Sequence, residues 1–288
     1  MGKKCVLLLL FLCLMAGAAC AQEAQMPLNL RMHPGEMMTA PSADMWESTN
    51  VQVAAVDGQG TITALSEGSC QILFTRGGET TACDLTVDHS VPTELAKKAI
   101  AIAENEFAAL DGKGLKRANK YSKWYNNSSE GFGWCGAFVG WCFEEAGIPM
   151  SRVGKAKKVD ENATYAISEA AVGKILKGYQ KMERVTNIPR PGYMVIYSVT
   201  HKSYDNRHTG LVVNAEDLGN GRYLLTTIEG NVSSTVKKYQ YYYDSSEEAA
   251  KEERNMEPLP QEMQTDDKIC YKLHSEDWFV KVFCQTYQ

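Results

Sequence analysis

Four residues carry the chemistry that this sequence offers: Cys135, His208, Glu229 and Asn231. Cys135 opens the stretch WCGAFVGWCFEEAG, residues 134–147. Counting from it, apolar or small residues return at Phe138, Val139, Cys142, Phe143 and Ala146, one buried stripe at helical period. Gly147 stands where a left-handed residue would end the helix. The spacing therefore predicts an amphipathic helix with a thiol in its first turn. Free backbone N–H groups and the positive end of the helix dipole both favour thiolate there, and thiolate is the form that attacks carbonyls. Cys142, on the same stripe, reads as a small core residue.

A cysteine nucleophile needs a base, and the base needs an orienting partner. Beyond residue 21 the chain holds His33, His89, His201, His208 and His274. His208 begins HTGLVV, an apolar strand that a turn at Leu218-Gly219-Asn220-Gly221 would join to the strand RYLLTTIEGN. With that four-residue loop, Asp217 pairs with Arg222 and paired numbers sum to 439. His208 then lies opposite Asn231 and diagonal to Glu229, all on one face. A one-residue slip would undo the arrangement. His201 is the main rival as base. Either Glu229 or Asn231 could orient the imidazole, and Glu229 is favoured because a carboxylate stabilises imidazolium more strongly.

Lowering a thiol from its usual pKa to near neutral requires about 2 to 4 kcal/mol, whereas a helix terminus supplies roughly 0.3 to 1 kcal/mol. The helix start places the sulfur and offers an oxyanion donor. The imidazolium must supply most of the activation. Trp124, Tyr125 and Trp134 are candidates to line a substrate groove, with an aromatic core as the equal alternative.

The elements that position these residues fall into two regions. Residues 27–88 are rich in Thr, Val and Ser. Runs at Val51 to Val56, Thr61 to Leu65, Cys70 to Thr75 and Thr81 to Val87 predict short strands, with turns at Asp57-Gly58-Gln59-Gly60 and Gly77-Gly78. That spacing suggests a small β-sandwich. After a linker over His89 to Thr93, a helix is expected from Glu94 to Leu110. A Tyr/Trp/Asn-rich loop follows over residues 121–127, then the Cys135 helix and further helix over 160–182. Strands are expected at Tyr193 to Val199, His208 to Val213, Arg222 to Glu229 and Trp278 to Cys284. Residues 244–268, charged and poor in apolar side chains, read as a solvated insertion. Helices first and an antiparallel sheet afterwards make an α+β unit.

Two resemblances sharpen this reading. Trp46, the run Val53-Ala54-Ala55-Val56-Asp57, Gly60, the strand Thr61 to Ala64 and Gly68 resemble the bacterial immunoglobulin-like group 2 family, which implies a spacer or adhesive module over residues 22–90. Trp134-Cys135, His208-Thr209-Gly210-Leu211-Val212 and Ile228-Glu229-Gly230-Asn231 resemble the CHAP family of cysteine- and histidine-dependent amidohydrolases and peptidases, within residues 91–288. That resemblance implies a papain-like α+β fold. It implies Cys135 as nucleophile, His208 as general base, Glu229 as its orienter and Asn231 as a second polar partner. It also implies peptidoglycan, or a cell-wall peptide, as the substrate class. A common Pro-Gly-Asp of the family is here Pro191-Gly192-Tyr193. A non-catalytic surface-binding protein, or a hydrolase of host or rival-cell amides, is the alternative.

Length and composition agree with two domains: 288 residues, 44% hydrophobic and 23% charged. The start Met1-Gly2-Lys3-Lys4, the apolar run Cys5 to Met15 and Ala19-Cys20-Ala21 predict a cleaved export leader over residues 1–21. A lipoprotein anchored at Cys20 is the alternative, disfavoured by Gly17. The protein is expected outside the cell or at its surface, as a monomer, with no membrane segment after leader removal. A net charge of −5 leaves no broad basic surface for nucleic acid or anionic polymer. No CxxC, HExxH or EF-hand loop occurs, so neither metal nor cofactor is expected. Cys70 with Cys83, and Cys270 with Cys284, are each either a disulfide or two reduced thiols.

Overall fold

The computed structural model describes residues 26–127, 129–151, 166–202, 206–274 and 277–287. The expected leader, residues 1–21, lies outside the described residues. The amino-terminal strands are β1 (Asn29–Met32), β2 (Met37–Thr39), β3 (Met45–Ser48), β4 (Ala54–Val56), β5 (Thr61–Ala64), β6 (Gly68–Arg76) and β7 (Glu79–Val87). They form two sheets, ordered β1-β7-β6-β3 and β2-β5-β4. Ile72, Cys83, Leu85 and Val87 from the first sheet share one core with Ala54, Ile62 and Ala64 from the second. The four strands expected from sequence are present. β1 to β3 are additional to the strands expected from sequence.

Three glycines with positive φ shape this sandwich. Gly77 and Gly78 take φ of +58° and +87°, and Arg76 pairs with Glu79 across them, a two-residue turn whose twist suits the strands. At Gly60, φ +81°, a Cβ would stand 2.9 Å from the Trp46 indole. Cys70 pairs with Leu85 and Cys83 with Ile72, so the two cysteines are diagonal neighbours. Both are free thiols.

The remaining helices are α1 (Glu94–Leu110), α2 (Lys120–Asn126), α3 (Cys135–Ala146), α4 (Val172–Lys181) and α5 (Glu247–Lys251). The remaining strands are β8 (Met150–Ser151), β9 (Ala166–Ile167), β10 (Val185–Thr186), β11 (Met194–Ser198), β12 (Asn206–Gly219), β13 (Arg222–Val232), β14 (Thr235–Asp244), β15 (Met256–Pro258), β16 (Ile269–Cys270) and β17 (Phe279–Cys284). One sheet runs β10-β17-β11-β12-β13-β14-β15, with β16 also on β14. Met194, Ile196, Leu211 and Ile228 face α1, α3 and α4. Val195, Tyr197, Val212, Leu225, Tyr239 and Tyr241 face the other way into an aromatic cluster. The alternation along each strand thus serves two cores.

Several expectations need correction. The loop expected over 121–127 is largely α2, because Asn119 accepts from Tyr121 N and Ser122 N while Ser122 Oγ accepts from Asn119 N, a reciprocal cap. The helix expected over 160–182 is α4 from Val172 onward. Residues 160–165 lie outside the described residues, and Ala166–Ile167 is a strand. α3 is buried nearly all round rather than along one stripe. The stretch 244–268 is more than a solvated insertion: β15 pairs with β14, Met256 and Leu259 are buried, and the Asn255 side chain bonds both backbone groups of Val280. Cys270 and Cys284 do not flank a hairpin. β16 and β17 are separated by β11 to β14 in the sheet, far beyond the ~7 Å Cα limit for a disulfide, and both thiols are free.

Candidate active site

α3 begins at Cys135 without a side-chain cap on its first turn, so the first N–H groups stay available to an incoming oxygen. Its dense packing fixes the thiol. A Cβ on Gly136 would stand 2.7 Å from the carbonyl oxygens of Glu169 and Ala170, and one on Gly230 would stand 2.5 Å from Phe138 Cβ. Gly147 ends the helix at φ +81°, its N–H donating to the last turn.

β12 and β13 supply the partners, and the register is informative. Leu211 pairs with Ile228 and Val212 with Thr227, both summing to the expected 439. Farther out the sums become 440 and then 441, because the turn is Asn220-Gly221 alone, between Gly219 and Arg222. Two register shifts, at Asp217/Gly219 and Val212/Asn214, cancel the misjudged loop. His208, itself paired with Tyr197, and Glu229 come together as expected: His208 Nε2 stands 3.0 Å from Glu229 Oε2, with the Glu229 side chain wholly buried. Gly210 permits this, since any Cβ there would lie 2.5 Å from Glu229 Cγ.

His208 and the backbone of Gly136 and Thr209 act on the Cys135 thiol in the direction of thiolate. His208 Nε2 makes no aligned hydrogen bond. Burial alone would raise the Cys135 pKa. The His208 hydrogen bond and charge outweigh that and lower it below the ordinary 9.0. Burial works against the His208 charge, yet the thiolate and then Glu229 push its pKa up to about 10. Both shifts favour the thiolate–imidazolium form of the pair.

Glu229 is held on every side. Its Oε1 accepts from Tyr197 Oη and Thr227 Oγ1, each at 2.7 Å. Burial opposes its charge, but the His274 imidazole and then His208 hold its carboxyl well below the usual carboxylate range. His274 Nε2 stands 2.8 Å from Glu229 Oε2, its ring packed on Tyr239 at 4.2 Å and Trp278 at 4.8 Å. Sequence reasoning counted His274 but gave it no part. It lies far along the chain from Glu229, and no local pattern marks it.

Other expected residues fare differently. Asn231 adopts φ +66° at an irregularity in β13, and its Nδ2 lies 3.6 Å from where a Cβ on Gly133 would stand. Trp134 lines no groove. It is wholly buried and stacks on Tyr121 at 5.0 Å. Trp124 and Tyr125 sit half-buried on α2 and bond Glu144 and Glu169. His201 is turned to the surface beside α5, its Nε2 2.8 Å from Ala250 O, so it is no rival to His208. Among the described residues no helix is long and apolar enough to cross a membrane.

Residues 124–231 match the family model described as the CHAP domain. No curated protein matches. Among solved structures, an alpha-galactosidase/melibiase from Bacteroides fragilis NCTC 9343 is 14% identical, covering 55% of this chain and 48% of that one. This chain therefore spans about half of that chain's length, with a TM-score of 0.23. Cys135, His208, Glu229 and Asn231 all fall inside the matched segment and His274 beyond its end, so the candidate site is that of a CHAP domain at residues 124–231.

Proposed function

We propose that this chain is an exported cysteine amidohydrolase or endopeptidase that cuts peptidoglycan, at a stem-peptide, cross-bridge or muramoyl-alanine amide bond. The supporting observation is the buried series Cys135, His208 and Glu229, in which the imidazole that favours the thiolate also stands 3.0 Å from a buried carboxylate. CHAP domains are at family level amidase- and peptidase-type hydrolases.

In this reading the Cys135 thiolate attacks the amide carbonyl carbon, and the carbonyl π electrons move onto oxygen. The N–H groups at the start of α3 stabilise that oxyanion. Collapse re-forms the carbonyl and breaks the C–N bond as His208 gives its proton to the departing amine. Neutral His208 then takes a proton from water, whose oxygen attacks the thioester and releases the acid. As the C–S bond breaks, Cys135 leaves as thiolate, and the proton that His208 took from water restores the thiolate–imidazolium pair. Glu229 keeps the imidazolium charged and oriented throughout. Asn231, its Nδ2 near Gly133 just before the nucleophile, is a further polar group beside the start of α3.

The amino-terminal sandwich, residues 22–90, is read as an immunoglobulin-like spacer. Residues 91–288 are read as a papain-like α+β unit in which α3 offers the nucleophile to a sheet that offers the base. The test is digestion of purified peptidoglycan by the mature protein, with products identified by mass. New muropeptides are expected from the wild type and none from Cys135→Ala. Unchanged muropeptides across several wall chemotypes overturn the substrate, and activity retained in Cys135→Ala overturns the mechanism.

A further inference from the structure

Three buried polar atoms converge beside Cys135, and the hydrolytic reading uses only two of them. They are His208 Nε2, Glu229 Oε2 and His274 Nε2, and all lie within 4.8 Å of one another. The two nitrogens approach the same carboxylate oxygen at 3.0 and 2.8 Å, yet none of the three atoms makes an aligned hydrogen bond. The N–H directions miss the oxygen. Two imidazoles set only to serve a carboxylate would aim at it, because an unaligned buried donor forfeits the bond that compensates its desolvation.

We infer that His208, Glu229 and His274 form a binding site for a divalent transition cation of the zinc class, and that its occupation silences Cys135. Two imidazole nitrogens and one carboxylate oxygen, with a fourth position left to water, are a donor set that suits zinc. Zinc bonds of about 2.0–2.1 Å place tetrahedral donors roughly 3.3 Å apart. The two N–O separations need therefore widen only by about 0.4 Å.

The outer shell is already built. Glu229 Oε1 accepts from Tyr197 and Thr227, leaving Oε2 for the cation. The His208 ring packs against Tyr197 and Trp278, which helps to fix it. Tyr197, Tyr239 and Trp278 pack around His274 and limit water. The ligands come from β12, from β13 and from the segment before β17, so the sheet order creates the site and no short motif announces it.

The consequence rests on the proposed function, though the binding does not. With Nε2 on the cation, His208 gives up one proton on binding and keeps the other on Nδ1. The imidazole then has one accessible proton state and no longer works as acid and base for the thiol. Cation and proton compete for His208, so zinc binding tightens as pH rises.

The test uses the mature Cys135→Ala protein, which retains all three ligands and lacks the thiol. Titrated with zinc against a chromophoric chelator, it should bind one equivalent, and adding His274→Gln should weaken binding about 100-fold or more. Cobalt(II) in Cys135→Ala should give the intense visible bands of a four-coordinate site without sulfur charge transfer. In the wild type, zinc should abolish peptidoglycan digestion at the concentration that fills the site, and chelation should restore it. Absence of stoichiometric zinc and of the cobalt bands in Cys135→Ala overturns the site even if His274→Gln fails to fold, as does unchanged affinity in a folded His274→Gln. A protein that binds zinc but never digests peptidoglycan keeps the site and loses the hydrolase reading. One that digests peptidoglycan but binds no zinc does the reverse.

Discussion

Gly210 and Glu229 lie across from each other on β12 and β13, so close that any Cβ at position 210 would stand 2.5 Å from Glu229 Cγ. The carboxylate reaches His208 only because the strand beside it carries no side chain there. Gly210→Ala is therefore expected to push Glu229 off His208. Overpacking should cost about 1–3 kcal/mol, and a displacement near 1 Å should lower turnover about 100-fold. Urea unfolding and hydrolysis rates check both, and unchanged turnover would contradict the dependence on this glycine.

Thiol reactivity should be confined to one position. Cys135 is lowered by His208, whereas burial raises Cys70, Cys83, Cys142, Cys270 and Cys284. Iodoacetamide at mildly acidic pH should label Cys135 in the native protein and leave the other five intact, as read by peptide mass. Labelling spread over several cysteines would sink the idea of a paired thiolate.

The pH dependence follows from the same pair. His208, raised from 6.5 to about 10, contributes stability that is full below 6.5 and is lost as pH rises through about 10. Cys135, lowered from 9.0, contributes stability present above 9.0 and lost as pH falls through its folded value. Where these windows overlap the two slopes cancel, because folding then exchanges a proton between the groups without net uptake. Metal-free wild type should show an alkylation rate that is already high well below pH 9.0, and that plateau should vanish in His208→Ala. A single ordinary thiol titration in the wild type would refute the pairing.

Glu229 governs the acid side. Its pKa is lowered from 4.5, so its stabilisation is present above 4.5 and is lost as pH falls through the lower folded value. Glu229→Gln leaves His208 without its counter-charge and should cost about 3–5 kcal/mol at neutral pH. The steep loss of stability below 4.5 should flatten in that variant. Urea titrations across the acid range distinguish this from a purely steric effect, which would shift stability equally at every pH.

Trp134 separates packing from binding. It is wholly buried on Tyr121 and against Gly230, so Trp134→Ala should cost about 3–5 kcal/mol. Trp134→Phe, which keeps the stack, should leave KM for soluble wall fragments unchanged. A raised KM with normal stability would return Trp134 to the substrate groove.

The sequence by itself determined what short-range physics controls. α1 runs over the expected Glu94–Leu110, and α3 starts at Cys135 and stops at Gly147, because helical period and end caps are read within a few residues. The diagonal of His208 and Glu229 follows from the two-residue period of strands, and it held although the turn was misplaced, since two register shifts compensated. Tertiary structure alone decided that Trp134 is core, that Gly210 makes room for Glu229, and that Tyr197, Thr227 and His274 surround the same carboxylate. Those contacts join strands and segments whose proximity comes from sheet order and packing. No window of sequence contains the interactions that set them.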